Sequence, residues 1–474
     1  MSFDEYEQYD ALGLAELVRR GDVSPEDLLD AALERCASRN PELNAVVIEM
    51  ESYARQAIDE GLPDGPFRGV PFLVKDLALQ IQGERTTNGC RLFADHVADH
   101  DSELVKRYRR AGLVIFGRSA SPEFGLTTTT ESTLFGPTRN PWNLEHTAGG
   151  SSGGASAAVA AGLLPLANAS DGGGSIRIPA ACCGLFGLKP TRGRTPFGPD
   201  AGEGWSGMST VHALSRSVRD NAALLDASEG PELGSPYWAP PKSRPYLEEV
   251  GRDPGRLQVA LLTESTNGTE VDPLCVRAAE ETAEWLESLG HAVEGVQLKI
   301  DKEQLADSSQ IAMGANLLAT LEDEARKKGR PLGPDDVEHF TWLSIGRARE
   351  RTAEDYARAI RGLHATGRQV DAWFEKFDVI LSPTLGAPPQ KLGVLSLANP
   401  NLEQMLPAVL QSVGFTQVFN ASGHPAMSVP LVWSPDGLPI GLQIAGRFGD
   451  EGALFRLAGQ LEAERPWVDH RPQH

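Results

Sequence analysis

The chain reads as an α/β protein, a β-sheet with helices packed on both faces, and two observations carry that reading. Between Phe67 and Leu188, short apolar β-like runs at 70–74 and 113–117 alternate with helical runs at 101–111 and 155–161. The alternation resumes in the second half, with strand candidates at 257–262 and 292–296 around a helix at 276–289, and a further strand at 377–381 before Ser382-Pro383-Thr384. No internal repeat or heptad array is present.

Each element has a local reason. Ser24-Pro25-Glu26-Asp27 offers an N-cap serine, a proline at the first helical position and an acid three residues after the cap. Leu28, Leu29, Ala32, Leu33 and Cys36 then share one helical face. Residues 196–245 are rich in Gly, Pro and Ser, including Pro240-Pro241, and are expected to form surface loops. The segment 299–369 is charged, helical and poor in motifs.

The length of 474 residues gives a prior of about three domains. Chemical motifs at both ends of the chain argue instead for one unit, 1–474. Hydrophobic residues make up 41% of the chain, enough for a sizeable core, and no apolar run reaches the length of a membrane helix. Met1 to Asp10 is acidic and lacks the basic start and apolar stretch of a signal peptide, so a cytoplasmic protein is expected.

A formal charge of −21 disfavours nucleic acid and anionic membranes as partners. Cys36, Cys90, Cys182, Cys183 and Cys275 are odd in number, scattered and without a C-x-x-C, which suggests reduced thiols. His96, His100 and Asp101 have helix-like ligand spacing, but no His-Glu-x-x-His or third ligand accompanies them. Asp101 reads better as the cap of the following helix, so neither a metal nor a cofactor is expected.

The stretch from Thr147 to Arg194 carries the chemistry. It opens Gly149-Gly150-Ser151-Ser152-Gly153-Gly154, runs through an Ala-rich helix, and closes on Asp171-Gly172-Gly173-Gly174-Ser175-Ile176-Arg177. Three consecutive glycines allow several N–H groups to converge beside the Ser175 hydroxyl, which would make an oxyanion hole of Gly172, Gly173 and Gly174 next to a nucleophile. Upstream, Val70-Pro71-Phe72-Leu73-Val74 ends in Lys75. Desolvated at the tip of a buried strand, that amine can lose its proton and act as a base, provided Asp76 points away.

Blander readings compete with these. Ser151 and Ser152 each fit G-x-S-x-G, but Asn140-Pro141-Trp142-Asn143-Leu144-Glu145-His146-Thr147 is not the apolar strand a nucleophile elbow needs. A phosphate-binding loop would require Gly-Lys-Ser/Thr after the glycines, and none follows. Ser175 alone could be a loop serine before a helix that Pro179 opens, and Lys75 a surface lysine at a strand end. Their conjunction with Ser151, the glycine triplet and the flanking charges favours catalysis. Asp171 and Arg177 read as an ion pair bracing the glycine loop, because arginine keeps its proton.

On these residues the chain resembles the amidase signature family, whose catalytic set is a serine, a second serine preceded by a cis peptide bond, and a lysine. By motif these correspond to Ser175, Ser151 and Lys75, with Ser152 supporting the lysine. Gly65-Pro66-Phe67-Arg68-Gly69-Val70-Pro71, Cys183-Gly184-Leu185-Phe186-Gly187-Leu188-Lys189-Pro190-Thr191, Asn420-Ala421-Ser422-Gly423-His424-Pro425-Ala426 and Asp436-Gly437-Leu438-Pro439-Ile440-Gly441 extend the likeness over nearly the whole chain. Within the family, Asn140-Pro141-Trp142-Asn143, Gly193-Arg194-Thr195-Pro196 and Pro466-Trp467-Val468 look closest to the 6-aminohexanoate cyclic dimer hydrolase group.

The resemblance implies the amidase signature fold, a large mixed twisted β-sheet covered by helices. Its core would comprise residues 65–197, 250–298 and 377–474, with 299–369 packing over the active site. It also implies a serine hydrolase that cleaves the C–N bond of a small-molecule amide through an acyl-enzyme, on linear, cyclic or xenobiotic substrates. Phe124, Gly125 and Leu126 would face the substrate, with the apolar Leu126 departing from the polar contacts usual there. Carbamate or ester hydrolysis by the same triad, or the role of a glutaminase subunit in a tRNA-dependent amidotransferase, are the alternatives. A homodimer is left open.

Overall fold

Period-two alternation within buried strands gives the main sheet two covered faces. In the strand Val379–Pro383, Val379 and Leu381 enter one apolar cluster and Ile380 another, as the pleat requires. The first cluster joins the sheet to the helices Val218–Ser228, Pro273–Ser288 and Glu451–Glu464. The second joins it to Lys302–Lys327, Ala353–Asp371 and Gln417–Ser422. The expected α/β layering is therefore present in the computed structural model, which describes residues 5–472. The reading of the acidic start of the chain rests in part on residues 1–4, which lie outside the described residues.

The main sheet has eight strands, in the order Ala292–Gly295, Gln258–Leu261, Val379–Pro383, Pro439–Gly446, Ala426–Trp433, Phe186–Lys189, Thr210–Ser215 and Leu166–Asp171. The first three run parallel and the remaining pairings are antiparallel, so the sheet is mixed. A second sheet of three strands, Val46–Glu49, Val114–Ser119 and Pro71–Lys75, lies beside the Leu166–Asp171 edge. The Lys75 backbone N–H donates to Asn168 Oδ1 at 3.1 Å across that junction. The strand that ends on Lys75 is thereby fixed against the strand that leads into the glycine loop.

Most of the elements form close to where the sequence suggests. Ser24 and Asp27 make a reciprocal capping box at the start of the helix Pro25–Leu43. Three helices, Lys302–Lys327, His339–Arg349 and Ala353–Asp371, fill the charged segment. All five cysteines are buried and unpaired.

Two expectations need correction. Residues 196–245 are not merely surface loops, because they contain the fully buried strand Thr210–Ser215 and the helix Val218–Ser228. Two of their polar residues bond within the segment: the His212 imidazole bonds Asn221 Oδ1 at 2.8 Å, and Asn221 donates to the Ala213 carbonyl at 3.1 Å. The core thus draws on a segment that the sequence outline left out. Asp101 does not cap the helix Glu103–Arg110, where Ser102 takes the cap position. Its carboxylate instead accepts from Gln82 N at 2.9 Å and Arg109 at 2.8 Å.

Candidate active site

Every residue of the strand Pro71–Lys75 is buried, so its terminal amine has little access to water. Lys75 is 1% exposed. Burial pushes the amine down to about 7, against an upward pull from the Asp171 carboxylate. Asp76, the neighbouring acid, is turned away: it accepts from the Thr87 backbone at 2.8 Å and from the Thr87 hydroxyl.

Three serine hydroxyls surround the amine. Lys75 Nζ lies 2.7 Å from Ser151 Oγ, 2.9 Å from Ser152 Oγ and 3.0 Å from Ser170 Oγ. Ser152 in turn donates to the Ser170 carbonyl at 3.2 Å. The peptide bond between Gly150 and Ser151 is cis. A side chain at Gly150 would meet the Thr129 carbonyl at 2.3 Å, and one at Gly125 would meet Ser151 Oγ at 2.8 Å. The two glycines let backbone close in on the serine from both sides.

Beyond the strand Leu166–Asp171 the chain turns through the three glycines to Ser175 and the helix Arg177–Cys183, in which Pro179 is the third residue rather than the first. Asp171 and Arg177, both fully buried, form a two-pronged pair with Nε–Oδ2 and Nη2–Oδ1 distances of 2.9 Å. Burial alone would raise the Asp171 carboxyl, but the Arg177 charge and hydrogen bonds reverse this and hold it well below the usual carboxylate range. The remaining Arg177 protons reach Gln443 Oε1 at 2.6 Å, Asn420 Oδ1 at 2.7 Å and the Thr416 carbonyl at 3.0 Å. Thr416 Oγ1 donates to the Gly173 carbonyl at 2.7 Å, so the loop is held from the C-terminal end of the chain.

This bracing changes the expected oxyanion hole. Gly174 N–H donates to Asp171 Oδ1 at 2.7 Å and is committed to holding the turn. Gly174 therefore supplies its positive φ of 132° rather than a free donor. Among the described residues, no backbone acceptor engages the N–H groups of Gly172, Gly173 or Ser175.

Ser175 is 9% exposed and opens onto two cavities. The larger, of about 890 Å3, is also lined by Ser151, Ser170, Gly172 and Phe124. The smaller, of about 310 Å3, is lined by Gly173, Leu126, Ile178 and residues of the covering helices. Gly125 and Trp205 border both. His96 and His100 stand at the larger cavity, but they are not gathered with Asp101: the His100 imidazole bridges Asp99 at 2.6 Å and Asp200 at 3.0 Å. Among the described residues no group of three or more His, Cys, Asp or Glu is arranged to hold a metal ion.

Sequence reasoning missed Ser170, Thr416, Asn420 and Gln443. Ser170 had a usable signal, since it and Asn168 are two apart in one strand and both face the Lys75 strand. Asn420 lay in a motif already singled out, and Thr416 and Gln443 carried none.

Comparison with known proteins bears on this arrangement. The amidase family model matches residues 27–455. The chain is 41% identical to a 6-aminohexanoate-cyclic-dimer hydrolase of Paenarthrobacter ureafaciens, over 98% of this chain and 96% of that one. The solved structure of a 6-aminohexanoate cyclic dimer hydrolase superposes with a TM-score of 0.93 at 39% identity, covering 98% and 99% of the two chains. A bacterial aryl acylamidase of the amidase signature family follows at 0.88 and 27%, covering 98% and 97%. With this agreement over nearly its whole length, the chain belongs to the amidase signature family.

Proposed function

We propose that the protein hydrolyses amides through an acyl-enzyme formed on Ser175, with Ser151 as proton relay and Lys75 as terminal base. Membership of the family makes it a hydrolase of carbon–nitrogen bonds, and the mechanism is our reading of its site. The observation that carries it is the 2.7 Å contact between a buried, easily deprotonated Lys75 amine and Ser151 Oγ. A neutral amine has two N–H donors and one lone pair, so of its three serine neighbours two accept and one donates. Ser152 spends its proton on the Ser170 carbonyl. The proton on the lone pair then belongs to Ser151 or Ser170, and Ser151 is the one the relay uses.

Attack by Ser175 Oγ on the carbonyl passes its proton to Ser151 as Ser151 passes its own to Lys75. The Ser175 hydroxyl has no hydrogen-bond partner among the described residues and is free to turn toward Ser151; such contacts commonly tighten only once substrate is bound. Free N–H groups at Gly172, Gly173 and Ser175 receive the developing oxyanion. Ser151 then protonates the departing nitrogen, and water reverses the sequence on the ester. The substrate is a small linear, cyclic or xenobiotic amide, by analogy with the cyclic amide hydrolase and the aryl acylamidase it resembles.

Ser175→Ala tests this reading. Turnover of amides by the purified chain should fall by about four orders of magnitude or more while the circular dichroism spectrum stays unchanged. Residual activity within tenfold of the parent would remove Ser175 from the nucleophile's role.

A further inference from the structure

The two cavities that meet at Ser175 differ in their access to the proton relay and in their charge. Ser151 opens into the larger one and not into the smaller. On the acyl-enzyme reading, which this inference rests on, the group that protonates the leaving nitrogen must stand on the leaving-group side. As the carbon–nitrogen bond breaks, the Ser175 Oγ–carbon bond forms and the proton lost by Ser175 ends on the amine. That amine must then depart into the larger cavity, while the acyl group remains on Ser175 in the smaller.

The walls fit those roles. In the smaller cavity Leu126, Ile178, Ile311, Met313, Val409 and Val413 present an apolar surface to the acyl group. Arg347 and Arg351 line it with a single acidic residue, Asp307. The larger cavity has carboxylates of Asp99, Asp200, Glu203, Asp323 and Glu324 against one lining lysine, Lys327. The His100 imidazole lies between Asp99 and Asp200, so even when protonated it leaves that pair net negative. From outside the wall Arg326 pairs with Asp323 at 2.7 Å and Lys328 with Glu324 at 3.9 Å.

We propose that the site is polarised along the scissile bond. It selects amides of an apolar acyl group with an amine that carries a second, positive charge, and a carboxylate is tolerated only on the acyl side. The acidic cavity draws in the cationic end and the released amine alike, and the apolar cavity retains the acyl chain by burial.

Open-chain amides of six-carbon units test it. With the acyl part fixed as hexanoyl, the amine is hexylamine or a pentylamine ending in an ammonium or a carboxylate. In the mirrored series the amine is fixed as hexylamine and the acyl chain ends in the same groups. On the amine side kcat/KM at low salt should fall in the order ammonium, neutral, carboxylate, by about three- to tenfold per step, and the differences should shrink in about 0.5 M salt. On the acyl side the carboxylate should exceed the ammonium. Asp200→Asn with Asp323→Asn should narrow the amine-side ratio of ammonium to carboxylate.

The same order on both sides, no order at low salt, or a ratio unmoved in the double variant would overturn the polarity. The neutral hexanoyl hexylamide separates the two claims. If its hydrolysis is lost in Ser175→Ala and the charge order is absent, only the polarity fails. If it survives in Ser175→Ala, the acyl-enzyme reading fails and the polarity falls with it.

Discussion

Replacing Lys75 by methionine should stabilise the protein by about 1 kcal/mol at pH 7 and destabilise it by about as much at pH 9. The amine sits at about 7 in the folded chain against 10.5 for an ordinary lysine. Between those values the unfolded chain holds a proton that the folded chain lacks, so stability rises with pH across the window. At about 1.4 kcal/mol per unit, keeping this lysine costs the native state about 4 kcal/mol at pH 7 and about 2 kcal/mol at pH 9. Methionine removes that cost but leaves three serine hydroxyls without the amine, a loss of about 1 kcal/mol each. This second effect is nearly the same at both pH values and cancels in the comparison. Urea unfolding of both chains at pH 7 and pH 9, followed by circular dichroism, should show the stability gap moving by about 2 kcal/mol in favour of the parent at the higher pH. A gap unchanged with pH, or one moving the other way, would refute a depressed Lys75. The same amine should govern turnover, with kcat/KM rising through about pH 7 to a plateau.

Other consequences concern the relay and its bracing. Lys75→Ala should slow amide hydrolysis far more than hydrolysis of a matched activated ester, whose leaving group needs little protonation; equal losses would count against the relay. Arg177→Met would leave the Asp171 carboxylate buried and uncompensated, and should cost about 3 to 5 kcal/mol in urea unfolding. A loss below about 1 kcal/mol would mean that the pair does not hold the loop.

Much of this arrangement was legible because the signals are local. The Ser24 capping box needs only four residues, and the run ending in Lys75 is apolar throughout. Glycines flanking Ser151 and Ser175 announced a backbone that had to pass close to other atoms. The strand Thr210–Ser215 was hidden because its buried positions include Thr210, His212 and Ser215, which interrupt the apolar run that marks a buried strand. Gly174 misled for a related reason. Nothing in the triplet says which N–H the Asp171 carboxylate will take, and that is fixed by the pairing with Arg177 and the support from Asn420. The partners Thr416 and Gln443 come from beyond residue 400, where only the folded sheet brings them to Arg177.

The central claim is that a covalent acyl intermediate forms on one particular serine among four neighbours. Treating the pure chain with an acylating inhibitor, followed by proteolysis and peptide mass spectrometry, reads this directly. The account predicts one stoichiometric adduct on Ser175, absent from Ser175→Ala. An adduct on Ser151, Ser152 or Ser170 in the parent chain would contradict it.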